Sequence, residues 1–276
     1  MILMLLYALV GAAVGSFLNV VIDRVPAGQS VLHPASRCPA CNRQLTPRDL
    51  IPVISYLALR GRCRNCGAVI PLRVVLVEAL TALLFALLWR HYGPGARLLL
   101  ATFWSSLLFA LLVIDLEQRI VPNVVVLPAI AVALAAVPLQ GLLLEPIYGH
   151  YGLLQLLLGP AVPLTPRGLA MLSQVLGGAI AFGIFLLIWL VAPKAMGAGD
   201  VKLAALVGLL TGLPGALAAV FGSFLLGGVV GVVLLVSGVA GRKTAIPFAP
   251  FLVITTFWVM LYVDALVLWY IGRLFG

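Results

Sequence analysis

Charged side chains are scarce in this sequence. Only 9% of its 276 residues are Asp, Glu, Lys or Arg, and just eight are acidic. A soluble domain carries about 25% charged residues, so this chain cannot cover a globule with polar surface. Lipid must be its main solvent. In lipid every backbone N–H and C=O has to be bonded internally, which leaves helices or a closed barrel. Polar–apolar alternation is missing from the apolar runs, and this excludes the barrel. The runs are about twenty residues long, the length of a membrane-crossing helix. Cysteine is absent outside residues 38–66, and the three histidines, His33, His91 and His150, are scattered. That scatter offers no fifth metal ligand and no clustered histidine base.

About eight spans can be drawn, over residues 2–22, 74–89, 98–114, 124–144, 168–192, 201–213, 215–239 and 250–271. The first run lacks a basic leader and a small-x-small cleavage site, so it reads as a retained span. A polar segment, 23–73, separates it from the second. The fold class expected is therefore an all-α polytopic membrane protein with a small polar domain between spans one and two.

The net charge of +9 invites a nucleic-acid reading, but its distribution gives a topological one. If segment 23–73 is cytoplasmic, that side collects Arg24, Arg37, Arg43, Arg48, Arg60, Arg62, Arg64, Arg73, Arg119, Lys194, Lys202, Arg242 and Lys243. Only Arg90, Arg97, Arg167 and Arg273 fall on the other side. Cytoplasmic loops carry the Lys/Arg excess, so both termini are expected outside. No nucleic-acid partner is expected. Residues 141–167 are long yet apolar, and Tyr148 and Tyr151 suit a segment lying in the interface.

Cys38-Pro-Ala-Cys41 and Cys63-Arg-Asn-Cys66 form two CxxC units with 21 residues between them. Two residues between cysteines let both sulfurs reach one ion, and two such turns supply four thiolates for a closed tetrahedral zinc site. A cytoplasmic location argues against the alternative of stable disulfides. A closed site has no open position for hydrolysis. It would instead fold a segment too small to own a core.

With so few acids, each one near a span needs a reason. Carboxylates in hydrocarbon are costly and mark functional positions. Asp115 ends the third span and Asp200 opens the sixth, both on the side expected to be cytoplasmic. Two carboxylates sharing a site can divide the work of peptide hydrolysis, one holding a proton while the other activates water. The residues alone leave other readings open. Asp200 can cap a helix, Asp115 can pair with Arg119, or both can serve ion translocation. Gly197 and Gly199 permit a tight backbone beside a bound strand.

The residues around these acids carry a resemblance. Gly197-Ala-Gly199-Asp200-Val-Lys202-Leu203 is a GxGD motif, and Asp115 stands before Ile120-Val121-Pro122-Asn123. Residues 15–26, the cysteine segment through 51–56, and Ile246-Pro247-Phe248-Ala249-Pro250-Phe251 add further blocks in order. Over nearly its full length the chain resembles the type IV prepilin peptidases, polytopic aspartyl proteases. Ala249 stands where that family often has glycine, and Val74-Val75 replaces an aromatic-proline pair.

The resemblance implies a bacterial inner-membrane enzyme that cleaves the leader of prepilins or pseudopilins on the cytoplasmic side, after a glycine. It implies catalytic Asp115 and Asp200, and substrate binding by Gly197, Gly199 and Lys202. In members with a tetracysteine domain it further implies methylation of the new N-terminus with S-adenosylmethionine. The domain division expected is residues 1–22 as first span, 23–73 as cytoplasmic tetracysteine domain, and 74–276 as the protease core. A peptidase without methyl transfer, an ion-coupled transporter and a zinc-ribbon interaction protein are the competing readings. Glu78 and Asp264 lie inside spans and are read as buried polar contacts, with Glu78 also a candidate for the methyl-transfer site. Gly177, Gly178, Gly208, Gly227 and Gly228 are expected to mark close helix packing.

Overall fold

The computed structural model describes the backbone of residues 1–143, 165–193, 196–239, 241 and 246–275, with side chains described as far as residue 138 in the fifth helix and 262 in the last. Most of the expected interfacial segment, including Tyr148, His150 and Tyr151, lies outside the described residues. So do Lys194, Arg242 and Lys243, and the side chains of Asp264 and Arg273.

The described regular structure is helical. Its helices are α1 (Ile2–Arg24), α2 (Ile54–Ala58), α3 (Leu72–Tyr92), α4 (Ala96–Gln118), α5 (Asn123–Leu143), α6 (Pro166–Val191), α7 (Ala198–Val236) and α8 (Ala249–Phe275). A 3-10 turn at Pro47–Leu50 precedes α2. Helices α1, α3, α4, α6 and α7 are long and apolar enough to cross a membrane, and α5 and α8 add apolar stretches over Asn123–Pro138 and Ala249–Tyr262.

One boundary differs from the sequence expectation. The sixth and seventh spans are not joined by a loop but run on as the 39 residues of α7. At about 1.5 Å per residue α7 would far exceed the roughly 30 Å of a bilayer core. It is broken inside, where Gly212 takes φ 69° and ψ 179°. Pro214 follows and has no N–H to give. The Leu213 N–H, freed by the break, donates to Ser173 Oγ of α6 at 3.0 Å. The two spans are thus retained, divided by a kink one or two residues from the expected boundary.

The chain divides into two compact units, Met1–Ile114 and Asp115–Gly276. In the first, α1 and α3 pack antiparallel. A Cβ on Gly11 would lie 2.7 Å from the Phe85 side chain, and one on Gly15 would lie 2.8 Å from Glu78 Cα. Asn19 Nδ2 bonds to the Val74 carbonyl, and Asp23 pairs with Arg73 at 2.7 Å. Ascending numbers on α1 meet descending numbers on α3, which fixes the direction.

In the second unit α7 packs against α5, α6 and α8. The α6–α7 contact is backbone on backbone. A Cβ on Gly177 would lie 2.6 Å from the Gly212 carbonyl carbon and 2.7 Å from the Gly208 oxygen. Only a residue without a side chain fits there. Gly178 meets Leu209 and Gly227 meets Phe251, as expected, but Gly228 faces open space and marks no packing contact.

Candidate functional site

Both span-edge aspartates lie in the second unit, and both are buried, Asp115 at 5% exposure and Asp200 at 8%. Asp115 sits in the last turn of α4. Its Oδ2 accepts a hydrogen bond from the Ala249 N–H, the first residue of α8, at 3.2 Å. Helix N-termini present unpaired N–H groups and the positive end of the helix dipole, so α8 offers this carboxylate a favourable partner. Among the described residues Asp115 forms no ion pair within 4 Å, and the Asp115–Arg119 pair considered from sequence is absent. Arg119 instead closes α4, its N–H on the Asp115 carbonyl and its φ at 57°.

Asp200 is the third residue of α7, not its cap. Gly197 holds the cap position, and the Asp200 Oδ2 accepts the Gly197 N–H at 3.2 Å. The capping reading of Asp200 is therefore half right, because the carboxylate does satisfy an orphan N–H but from within the helix. Two carboxylates separated by 85 positions thus lie in the same unit, each accepting a backbone N–H at the N-terminus of a helix.

The three residues expected to bind substrate surround Asp200. Gly197 is the α7 cap, and Gly199 packs so closely that a Cβ would lie 2.7 Å from Val121 Cβ. Lys202 Nζ donates to Asn123 Oδ1 at 2.7 Å. The segment after α4 is therefore held against the start of α7 at two points.

In the first unit the two CxxC segments fold into matching turns. The Asn42 N–H bonds to the Cys38 carbonyl at 2.8 Å, and the Gly67 N–H bonds to the Cys63 carbonyl at 2.9 Å. Asn42 and Gly67 both have positive φ, 55° and 70°, a conformation these two residue types tolerate best. Bridges Arg37↔Gln44 and Arg62↔Val69 flank the turns at the same offset. All four sulfurs lie within 4.8 Å of one another, with Cys38 Sγ to Cys66 Sγ at 3.8 Å. The cluster can hold a metal ion. The N–H groups of Cys66 and Asn65 hold the Cys63 thiol down to about 6. The Ala68 N–H favours a Cys66 thiolate, but burial and the neighbouring sulfurs push that thiol up to about 11. A cation at the centre would let all four ionise together.

Comparison with known proteins identifies the family. Residues 9–92 match the Bacterial Peptidase A24 N-terminal domain, and residues 102–232 match the Type IV leader peptidase family. A prepilin leader peptidase/N-methyltransferase of Bacillus subtilis is 30% identical over 269 residues, which cover 96% of this chain and 97% of that protein. This chain belongs to the type IV leader peptidase family. Relatives of the same name from Pseudomonas aeruginosa and Myxococcus xanthus are 34% and 38% identical. The alignments cover 93% and 85% of this chain, and 89% and 64% of those proteins. No solved structure gives a significant match.

The leader peptidase match over 102–232 contains both aspartates, and the N-terminal match over 9–92 contains the four cysteines. Sequence reasoning missed the direct part played by Ala249. The backbone N–H makes the contact with Asp115, so alanine serves where the family often has glycine, and a backbone donor leaves no side-chain signal. It also left the partner of Glu78 unnamed. Buried at 5% exposure, Glu78 accepts the Val53 N–H at 2.7 Å through Oε2. Val53 is a β-branched residue at φ 63°, a costly conformation that needs such an anchor.

Proposed function

We propose that this chain cleaves the leader from type IV prepilins or pseudopilins and then methylates the new amino terminus. The observation that carries the cleavage half is that two buried carboxylates, Asp115 and Asp200, lie in one unit of a polytopic membrane protein, each accepting a backbone N–H at the N-terminus of a helix. Two acids in one desolvated site do not readily ionise together, so they hold one proton between them. The ionised carboxylate draws a proton from water, and the protonated one donates to the scissile carbonyl oxygen as the tetrahedral intermediate forms. Proton return to the leaving nitrogen then breaks the C–N bond. In this reading Gly197, Gly199 and Lys202 line the approach to Asp200; Gly197 is exposed and Gly199 and Lys202 are half-buried, which suits an extended peptide beside the acid.

The active site faces the cytoplasm of a bacterial inner membrane in this reading, supported by the arginine-rich segment between α1 and α3. Residues 23–73 form the cytoplasmic tetracysteine domain. Zinc is the ion assigned to its four sulfurs. A tetrahedron with Zn–S distances of about 2.3 Å has S–S edges of about 3.8 Å, and the Cys38–Cys66 separation is 3.8 Å. The methyl-transfer half rests on the names of the relatives and on the match of residues 9–92 to the Bacterial Peptidase A24 N-terminal domain. S-adenosylmethionine would supply an electrophilic methyl group on sulfonium.

Incubating the purified, detergent-solubilised protein with a prepilin and S-adenosylmethionine tests the proposal. Release of the leader, followed by a 14-Da mass increase for one methyl group on the new N-terminus, is expected at about one event per substrate chain. An intact prepilin after prolonged incubation contradicts it.

A further inference from the structure

Glu78 is the one buried acid among the described residues of the first unit. Asp23 is exposed and paired with Arg73, and Asp49 is held by Arg64 and Thr46. A carboxylate inside a membrane helix needs more than structure to explain it. Its Oε2 has one partner, the Val53 N–H at the strained entrance to α2. A backbone N–H would be served as well by a neutral glutamine, so the contact does not account for the charge.

The second observation comes from α1. Asn19 is buried at 6% exposure, and its Nδ2 donates to both the Gly15 carbonyl and the Val74 carbonyl, at 3.3 and 3.0 Å. Two carbonyl partners fix which end of the amide is nitrogen. The other end, Oδ1, is buried with no hydrogen-bond partner. Such an orphan costs free energy unless something fills it. Gly15 seats against Glu78 Cα, one helical turn before Asn19, and Val74 lies one turn before Glu78 on α3. The acceptor of Asn19 and the carboxylate of Glu78 therefore occupy the same crossing of α1 and α3. Both are acceptors, and together they fit a donor that carries positive charge.

We propose that Asn19 and Glu78 form the binding site for the primary ammonium group of a peptide amino terminus, the group that methylation modifies. This assignment rests on the methyl-transfer reading above. Asn19 Oδ1 and a Glu78 oxygen each accept one N–H of the ammonium. An ammonium nitrogen has no lone pair, so one proton must leave before attack, and the Glu78 carboxylate takes it. The freed lone pair forms the new N–C bond with the methyl group of S-adenosylmethionine. The methyl–sulfur bond breaks as this forms, and its electron pair returns to sulfur to leave a thioether. The Glu78 proton then passes to water.

The test uses the full chain in nanodiscs and a pilin peptide already lacking its leader, supplied with a free amino terminus or N-acetylated. The native protein is expected to bind the free-amine peptide at least about tenfold more tightly than the acetylated one, as a charge-assisted contact gives. Glu78→Gln keeps an oxygen for the Val53 N–H but loses the charge. It should abolish that preference and slow methyl transfer by roughly a hundredfold or more, while leader cleavage reports that the protein is folded. Asn19→Leu should reduce the preference. The methyl donor titrated alone should bind Glu78→Gln as it binds the native protein. A lost affinity there would give the carboxylate to the donor's own ammonium and overturn the assignment. Equal binding of the two peptides by the native protein overturns it without any variant. Methyl transfer at the native rate by Glu78→Gln does so too, leaving the methyltransferase reading intact. Preferential binding of the free amine with no methyl transfer by the native protein has the opposite meaning: the site stands and the methyltransferase reading fails.

Discussion

The Asp115 carboxylate and the Ala249 backbone N–H, 134 positions apart, are joined by a 3.2 Å hydrogen bond. Through it the last turn of α4 is held to the first turn of α8. Ala249 is the first residue of its helix, the position where proline is best tolerated because its missing N–H has no helical partner. Ala249→Pro therefore removes this one donor and leaves α8 formed. Leader cleavage should fall by roughly tenfold or more, the worth of a hydrogen bond to a charged group, with helix content by circular dichroism unchanged. Ala249→Gly keeps the donor and should cleave normally. Full activity in the proline variant would show that the contact does not serve the chemistry.

The α6–α7 contact sets a second expectation. A side chain on Gly177 would meet the Gly212 carbonyl carbon at 2.6 Å, whereas one on Gly228 meets nothing within 4 Å. Gly177→Val should destabilise the protein by about 1–3 kcal/mol through overpacking, read as a lower midpoint in a thermal-shift assay. Gly228→Ala should leave the midpoint in place. Equal midpoints for the two variants would mean that the helices separate easily here.

Metal content is the third. The purified chain should carry about one zinc ion held by four cysteines. Cys38→Ser or Cys63→Ser should release it and expose residues 23–73 to proteolysis, because the segment has no core to fall back on. Methyl transfer should suffer more than cleavage. Elemental analysis that finds full zinc occupancy in a Cys38/Cys41 double variant would refute the site.

The same segment has a defined acid response. Thr46 and Arg64 hold the Asp49 carboxyl down to about 2 from its ordinary value of 3.8. Because the folded value is depressed, the stabilisation is fully present above about pH 4. It is lost as pH falls through the interval down to about 2. Protease resistance of residues 23–73 should thus differ between the native protein and Asp49→Asn at pH 7 and converge near pH 2. A difference that persists at pH 2 would contradict this. Exposed Arg64 limits the size of the effect, since solvent screens the pair.

Much of this was legible in the sequence for physical reasons. Apolar runs of bilayer length declare themselves, and two CxxC units at fixed spacing point to one ion. The scarcity of acids made Asp115 and Asp200 conspicuous. What stayed hidden depends on backbone atoms brought together over long separations. Ala249 acts through its N–H, Gly212 breaks α7 through a dihedral angle, and Val53 is held by a carboxylate 25 positions away. None of these leaves a mark in residue type. Asp200 was readable as a helix-terminal acid, but not its seat at the third position, since Gly197 gives no side-chain signal as a cap.

The two-aspartate mechanism is tested most directly by single-turnover cleavage of a prepilin with Asp115→Asn, Asp200→Asn and the double variant. Neither acid alone can both activate water and polarise the carbonyl. Each single variant should therefore lose cleavage by roughly four orders of magnitude, and the double variant should be little worse than either, as residues acting as a unit are non-additive. Glu117→Gln is the control: Glu117 is exposed on the same helix while Asp115 is buried, and it should cleave at near the native rate. Substantial cleavage by either asparagine variant, at native levels of inserted protein, would contradict the account.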